Sequence, residues 1–235
     1  MEIDKFNLNW IMKKILIFGS GSHSKVVLSE ILRIKNYKVI GFVDEKLKKG
    51  TVVGKFGNKT FKVICNISKL KSVVDKNTHG VIAIGSNFIR KKITNKVEKI
   101  LKNFNWEKII SKNCIINGNV KIGKGTVIIS GAVINTGCII GKHCLINTSS
   151  SIDHDNIFKN FSSCGPNVTT GGNVLLGECS YLGISSTVKH MVKVGDNTVI
   201  GCQSMVTKNC KNNSLYFGIP AKKIRNRKMN EEYLQ

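Results

Sequence analysis

Residues 115–146 read IINGNVKIGKGTVIISGAVINTGCIIGKHCLI. Taking every sixth position from Ile116 picks out Ile122, Ile128, Ile134, Ile140 and Ile146. The series continues in phase through Ile152, Phe158, Cys164, Thr170, Leu176, Leu182, Val188, Val194 and Ile200 to Val206, and thirteen of the sixteen positions are aliphatic. Neither a helix, at about 3.6 residues per turn, nor a strand, at about 2, repeats every six residues. Four residues after the aliphatic side chain a small one usually follows: Thr126, Ala132, Cys138, Cys144, Ser150, Ser162, Ser180, Ser186, Thr198, Ser204 and Cys210. Glycine often comes directly after it, at Gly123, Gly141, Gly177, Gly183, Gly195 and Gly201. The pattern is that of a solenoid, in which one aliphatic residue per unit points inward and stacks on its equivalents in neighbouring coils. Small residues fit the tight positions, and the glycines are expected to permit the turn geometry. Cys138, Cys144 and Cys210 read as small core residues.

The first half of the chain has another rhythm. KILIFG (14–19) reads as a strand, and SHSKVVLSEILRIKN (22–36) as an amphipathic helix burying Val26, Val27, Ile31 and Ile34. KVIGFVDE (38–45) is a second strand ending in acids, followed by a Lys/Gly-rich stretch. NISKLKSVV (66–74) reads as helix, GVIAIG (80–85) as strand and IRKKITNKVEKILKN (89–103) as helix. Such alternation predicts a parallel sheet covered by helices. MKKILIFG, from Met12, has the form of a natural start. The expected organisation is an extension at 1–12, an α/β domain at 13–110, the solenoid at 111–215 and a tail at 216–235.

A formal charge of +23 raises the question of nucleic acid. Lysine outnumbers arginine 33 to 4, however, and the basic residues are scattered among Asn and Ile. A solvated basic surface that helps to collect anionic small molecules is the expectation. No apolar run is long enough to span a bilayer, and the opening MEIDKFNLNW lacks a secretory core, so a cytoplasmic protein is expected. The eight cysteines form no C-x-x-C pair and read as reduced, mostly buried thiols.

NTSSSIDHD (147–155) places His154 at the third position of its hexapeptide, on the outside of the coil. His143 and His190 also fall at outward repeat positions, and His79 precedes a strand; these three are read as structural or solvated. Consecutive Asp153, His154 and Asp155 do not easily converge on one ion, and no metal is expected.

The hexapeptides resemble the left-handed β-helix of hexapeptide-repeat acyltransferases. GSGSHSKVV (19–27), GFVDE (41–45), AIGSNFIRKKI (83–93), NTSSSIDHD (147–155) and FGIPAKKIR (217–225) together resemble the bacterial sugar O- and N-acetyltransferases, over about residues 14–225. The resemblance implies a Rossmann-like domain for a sugar nucleotide and a trimeric β-helix with acetyl-CoA between adjacent subunits. It implies that His154 is the general base, oriented by Asp155 in preference to Asp153, with Asn147 completing the network. A histidine titrating near neutrality suits removal of a proton from the attacking acceptor.

On the acceptor side the resemblance places Gly21, Ser22 and His23 near the nucleotide, where a helix N-terminus can receive phosphate. Asp44 and Glu45 are implied acceptors for uracil or ribose, and Gly85 allows close backbone approach. Ser22 stands where the family more often has glycine, and Ser24 where a third glycine would complete the dinucleotide fingerprint. Gly172, Ile184 and Cys202 are implied along the coenzyme A path. The resemblance further implies that the loop from Gly218 closes its end, with Lys222, Lys223 and Arg225 as candidates to meet its phosphates. Ser163 stands where the family often has a second histidine near the acetyl group. The implied activity is N-acetylation of a UDP-linked 4-amino-4,6-dideoxy sugar by a cytoplasmic homotrimer. O-acetylation of sialic acid or a related nonulosonate is the alternative, and a non-enzymatic scaffold or nucleic-acid binder the third reading.

Overall fold

A computed structural model describes residues 12–233, so residues 1–11 of the expected extension lie outside it. The α/β domain contains β1 (Lys13–Phe18), α1 (Ser22–Leu32), β2 (Tyr37–Val43), β3 (Val52–Phe56) and β4 (Lys59–Cys65). A 3₁₀ turn (Ile67–Ser72), β5 (Thr78–Ile82), α2 (Asn87–Ile100) and β6 (Asn105–Trp106) complete it. The sheet order is β3-β4-β2-β1-β5-β6, parallel except for the antiparallel β3–β4 pair. Along β1, Ile15 and Ile17 enter one core with α1, while Leu16 and Phe18 enter the other with Leu70, Val97 and Trp106. Both faces are therefore covered, as a parallel sheet requires.

Several details differ from the sequence reading. The first helix stops at Leu32, and its buried stripe is Ser24, Val27, Leu28 and Ile31, with Ile34 only partly buried beyond the helix. Those four share one face at i, i+3, i+4 and i+7, which leaves Val26 off the stripe and 41% exposed. Residues 66–74 hold a short 3₁₀ turn, pinned where Ile67 N–H donates to Glu45 Oε1 at 3.0 Å. The Lys/Gly-rich stretch is the β3–β4 hairpin, turned at Gly57 with φ +54°. The Gly57-Asn58 pair between two β-rich runs was its sequence signal.

Strands of two residues then follow at six-residue intervals and stack into three parallel sheets of a left-handed β-helix. Face 1 runs from Ile109–Ile110 to Ser214–Phe217, face 2 from Ile115–Ile116 to Met205–Val206, and face 3 from Lys121–Ile122 to Lys193–Val194. Pairing is between residues eighteen apart, as in Val127 with Leu145, Val133 with Ser151 and Ile139 with Ile157. The stacked series from Ile128 to Val206 is buried, as are all the small residues named above. Ile109 and Ile110 already pair with Val127 and Ile128, so the expected boundary at 110/111 falls just after the first rung. The expected tail begins inside the last face-1 strand, which is followed by an antiparallel strand, Lys222–Asn226.

The glycines after the stacked positions do not supply the turns. Every sixth residue from Asn119 to Gln203 instead adopts a left-handed φ between +50° and +79°, and only Gly125, Gly131 and Gly137 among them are glycine. What Gly123 provides is clearance: a Cβ there would lie 2.5 Å from the backbone of Gly141 and Lys142 in the next coil. Gly141 and Gly183 are crowded in the same way. The reason for these glycines is coil-to-coil approach.

Face 1 is covered by the α/β domain, and Ile109, Val127 and Leu145 on its outer side join the core of α1 and β1. Arg90 of α2 crosses this boundary fully buried. Its guanidinium donates to Ile84 O (2.9 Å), Gly85 O (3.0 Å), His143 O (2.7 Å) and Phe161 O (3.0 Å). His143, expected to point outward, is 2% exposed, stacked on Phe161 at 5.1 Å and edge-on to Trp106 at 4.9 Å. Burial, reinforced by Arg90, pushes its pKa down to about 3. A hexapeptide position can be outward on the coil and still lie beneath a second domain.

Gly123→Ala should destabilise the protein by about 1–3 kcal/mol through overpacking. Gly118→Ala, where a Cβ meets nothing within 4 Å, should stay within about 0.5 kcal/mol of the parent. Urea-denaturation midpoints measure both.

Candidate active site

His154 lies on the corner between faces 2 and 3, immediately after the Ser151–Ile152 strand. Its Nδ1 is 2.8 Å from Asp155 Oδ2, and both side chains are about half exposed. Asp155 occupies the left-handed corner, φ +57°, a conformation aspartate tolerates better than most residues. Asp153 works on the backbone: its Oδ1 accepts from His154 N–H at 2.8 Å and from Asn135 Nδ2 at 3.1 Å. The pKa of His154 is raised, first by the hydrogen bond to Asp155 and then by the charge of Asp153. With Nδ1 bonded to the carboxylate, Nε2 is the nitrogen left to exchange a proton with a ligand.

Two glycines shape the space around this pair. A Cβ on Gly172, one coil further on, would come within 2.5 Å of His154 Cε1 and Nε2. A Cβ on Gly137, one coil earlier, would collide with Asp155 Oδ1. Gly172 thus lies directly against the candidate base. The eighteen-residue spacing of 154 and 172 was the sequence signal for the contact.

The remaining expected coil residues separate. Asn147 lies on the corner between faces 1 and 2, where its Oδ1 accepts from Thr148 N–H at 2.8 Å, and no hydrogen bond joins it to His154 among the described residues. Ile184 and Cys202 share that edge one coil apart, and both are exposed. Within one chain, then, His154 with Gly172 and Asn147 with Ile184 and Cys202 line two different edges of the prism. Ser163 is on neither. It is 1% exposed on face 1 and donates to Asn87 Oδ1 at 2.7 Å, beneath α2. Lys222 is exposed on the last strand, opposite Phe217, and the loop between them is clamped on Met205 through Gly218 O and Ala221 N–H. Arg225 is paired with Glu231.

The α/β domain has its own cleft, at the carboxyl ends of β1, β2 and β5, the usual ligand position in such sheets. Its inner part, about 140 Å³, is lined by Gly19, Asp44, Glu45, Ile67 and Ile84. Next to it Glu45, Lys46, Lys48, Lys49 and Lys69 line a wider space of about 540 Å³. Gly19 has φ +94° and no room for a Cβ against Ile84, so the fold demands it. Gly21 has φ −73° and nothing within 4 Å of its Cβ direction, and it brings no side chain to cap α1. That open helix N-terminus is suited to an anion. His23 is neutral at pH 7, since burial, with Arg90 adding to it, pushes its pKa down to about 4. Ser22 is exposed beside it.

The acids differ in what they have left to give. Asp44 is engaged by Lys46 N–H, Leu47 N–H and the Ser20 hydroxyl, and it shapes the turn after β2. Glu45 uses Oε1 on Ile67 N–H and keeps Oε2 beside Lys96 at 3.7 Å. Gly85 O accepts from Arg90 and from Tyr233 Oη at 3.4 Å, which ties it to the domain boundary. Among the described residues no group of three or more His, Cys, Asp or Glu is arranged to hold a metal ion.

Residues 14–97 match the family described as the PglD N-terminal domain. Over nearly the whole chain the structure is similar to PerB from Caulobacter crescentus, solved with CoA and GDP-perosamine. The TM-score is 0.81 and the identity 26%, covering 90% of this chain and 97% of that one. It is equally similar to the acetyltransferase domain of PglB from Neisseria gonorrhoeae, solved with acetyl coenzyme A. There the TM-score is 0.82 and the identity 25%, covering 90% and 99%. A chloramphenicol acetyltransferase of Klebsiella aerogenes is 36% identical over 72 residues, an alignment spanning 31% of this chain and 34% of that protein. By fold and by these likenesses the chain is a member of the left-handed β-helix, hexapeptide-repeat superfamily. The family match over residues 14–97 and the likenesses to sugar N-acetyltransferases support a bacterial sugar acetyltransferase within it.

Titrated by NMR, His154 should show a pKa above the ordinary histidine value, and Asp155→Asn should bring it down. Gly172→Ala should displace the ring and change the His154 signals while leaving those of the buried His143 in place.

Proposed function

We propose that this protein is an acetyl-CoA-dependent N-acetyltransferase acting on the amino group of a UDP-linked 4-amino-4,6-dideoxy sugar. The observation that carries this reading is the 2.8 Å His154–Asp155 pair, exposed on a β-helix edge and backed by Gly172. The acceptor nitrogen attacks the thioester carbonyl while Nε2 of His154 takes its proton, and Asp155 stabilises the resulting imidazolium. Collapse of the tetrahedral intermediate breaks the C–S bond and releases CoA. No covalent enzyme intermediate is needed.

The nucleotide would sit in the α/β cleft, with its phosphates toward the uncapped start of α1 and the lysine-lined mouth. Glu45, which has acceptor capacity left, would receive the base. The Caulobacter crescentus enzyme is the useful comparison here: variants with a histidine replaced by asparagine or alanine hold CoA and GDP-perosamine together. Division of the coil residues between two edges supports a homotrimer, in which the His154 edge of one copy faces the Ile184–Cys202 edge of the next. Ile115, Ile139, Ile157 and Met205, exposed on faces 2 and 3, are apolar surface that such an assembly would bury. Acetyl-CoA and nucleotide sugars are cytoplasmic metabolites, and among the described residues no helix is long and apolar enough to cross a membrane. The cytoplasm is the compartment this reading implies.

The test is thiol release from acetyl-CoA with UDP-4-amino-4,6-dideoxy-N-acetylglucosamine, alongside the GDP-linked amine and free sialic acid. His154→Ala should lower kcat by about a hundredfold to ten-thousandfold. Because the base must be neutral and its pKa is raised, activity should fall as pH drops through a value above 6.5. Full turnover by His154→Ala would remove the assigned base, and turnover of sialic acid alone would replace the acceptor. Equilibrium sedimentation reads the trimer.

A further inference from the structure

The inner position four residues after each stacked side chain usually carries one hydroxyl or thiol, with a single hydrogen to place. Thr126 gives its hydrogen to Gly141 O of the next coil (2.7 Å) and accepts from Cys144 N–H (3.1 Å). Ser180 repeats this with Gly195 O (2.6 Å) and Thr198 N–H (2.9 Å). Ser162 points the other way, donating to Lys159 O three residues back (2.7 Å). A hydroxyl can bridge coils or hold its own corner, but not both.

Asn156 occupies this position and is fully buried. Its Nδ2 donates to Gly171 O (3.0 Å) and its Oδ1 accepts from Val174 N–H (3.0 Å), which reproduces the bridge to the next coil. The second amide hydrogen reaches Asp153 O at 2.6 Å, with His154 O a longer acceptor at 3.3 Å. The amide can face only one way, because carbonyls accept and N–H groups donate. Outside the coil, Asn135 and Asp153 hold the same corner from the other side. The corner so clamped carries His154 and Asp155.

We propose that Asn156 is a positioning residue: it fixes the 153–155 corner from within, so that the His154 ring stays over Gly172 with Nδ1 on Asp155. The proposal rests on the reading of His154 as the base. Such pairs work only when held to within about 0.5 Å, and two half-exposed side chains on a left-handed corner do not hold themselves. Among the described residues, the charged groups that act on His154 are Asp153 and Asp155, and the coils before and after present Gly137 and Gly172 to the pair.

The test compares Asn156→Ser with Thr126→Ala, a control that loses the bridging bonds at a corner without site residues. Asn156→Ser has one hydrogen for either Gly171 O or Asp153 O, as Thr126 and Ser162 take one each. Asn156→Val, the side chain found at this position in Val168 and Val174, is therefore measured beside it and removes the hold on Asp153 O outright. The kcat of Asn156→Val for the UDP-linked amine should drop about tenfold to a hundredfold with both KM values within about twofold. NMR should show the His154 titration moving toward the ordinary histidine value, while the urea midpoint falls no further than in the control. A kcat and a His154 titration both like the parent's would overturn the proposal. If His154→Ala proves fully active, the base assignment fails, and the titration still decides whether Asn156 holds the pair. Should Asn156→Val melt below the assay temperature, Asn156→Ser is read in the same way. Melting of both would assign Asn156 to fold stability alone and overturn the proposal.

Discussion

The left-handed corner, repeated every six residues, is the constraint on which the rest of this structure depends. Two-residue strands cannot make a sheet alone, and here each gains its partners only because the chain returns to register after eighteen residues. That return requires a sharp turn of one hand at every corner, and the corners comply from Asn119 to Gln203. For a non-glycine residue the conformation costs roughly 1–2 kcal/mol. Three parallel ladders and a continuous apolar interior offset this cost, and aspartate and asparagine reduce it where they occur.

The same register builds the candidate site. Residues eighteen apart lie against each other, so a bulky side chain on one coil needs a small residue on the next. His154 has Gly172 and Asp155 has Gly137. The pair is thus supported on both sides by absence of side chain, which leaves the imidazole open to solvent with one nitrogen committed. Its raised pKa follows from two acids on one exposed corner. His143, on a similar corner, has the opposite fate because a domain sits on it, and burial keeps it neutral. Two histidines of one repeat are separated chemically by what covers them.

Arg90 hydrogen-bonds across that covering. A guanidinium buried without a carboxylate is stable only when its donors are met, and here carbonyls from the end of β5 and from two coils meet them. The carbonyl contact at Ile84 lies at the border of the cleft above β1, β2 and β5, so Arg90 ties the wall of this cleft to the coil. Face 1 is consumed by the interface. Faces 2 and 3, with the His154 edge between them, are not covered by the α/β domain.

The stacked interior was legible from the first, because a period of six held from Ile116 to Val206 admits few structures and interior contacts are local to the repeat. The alternating first half and the His154–Asp155 neighbours were legible for the same reason: adjacent residues, or residues at fixed spacing, meet whatever the rest of the chain does. What sequence spacing could not decide was everything that depends on a distant segment. Ser163, Asn147 and His143 all fit the repeat, yet one is sealed under α2, one sits on another edge, and one is stacked beneath the interface. The glycines looked like turn formers, and only the approach of neighbouring backbones shows that they provide clearance. The repeat by itself determined the coil and which residues share a corner, since both follow from short-range periodicity. Which corners remain open to a ligand was decided by tertiary packing, because the α/β domain, joined through Arg90, covers one face of three.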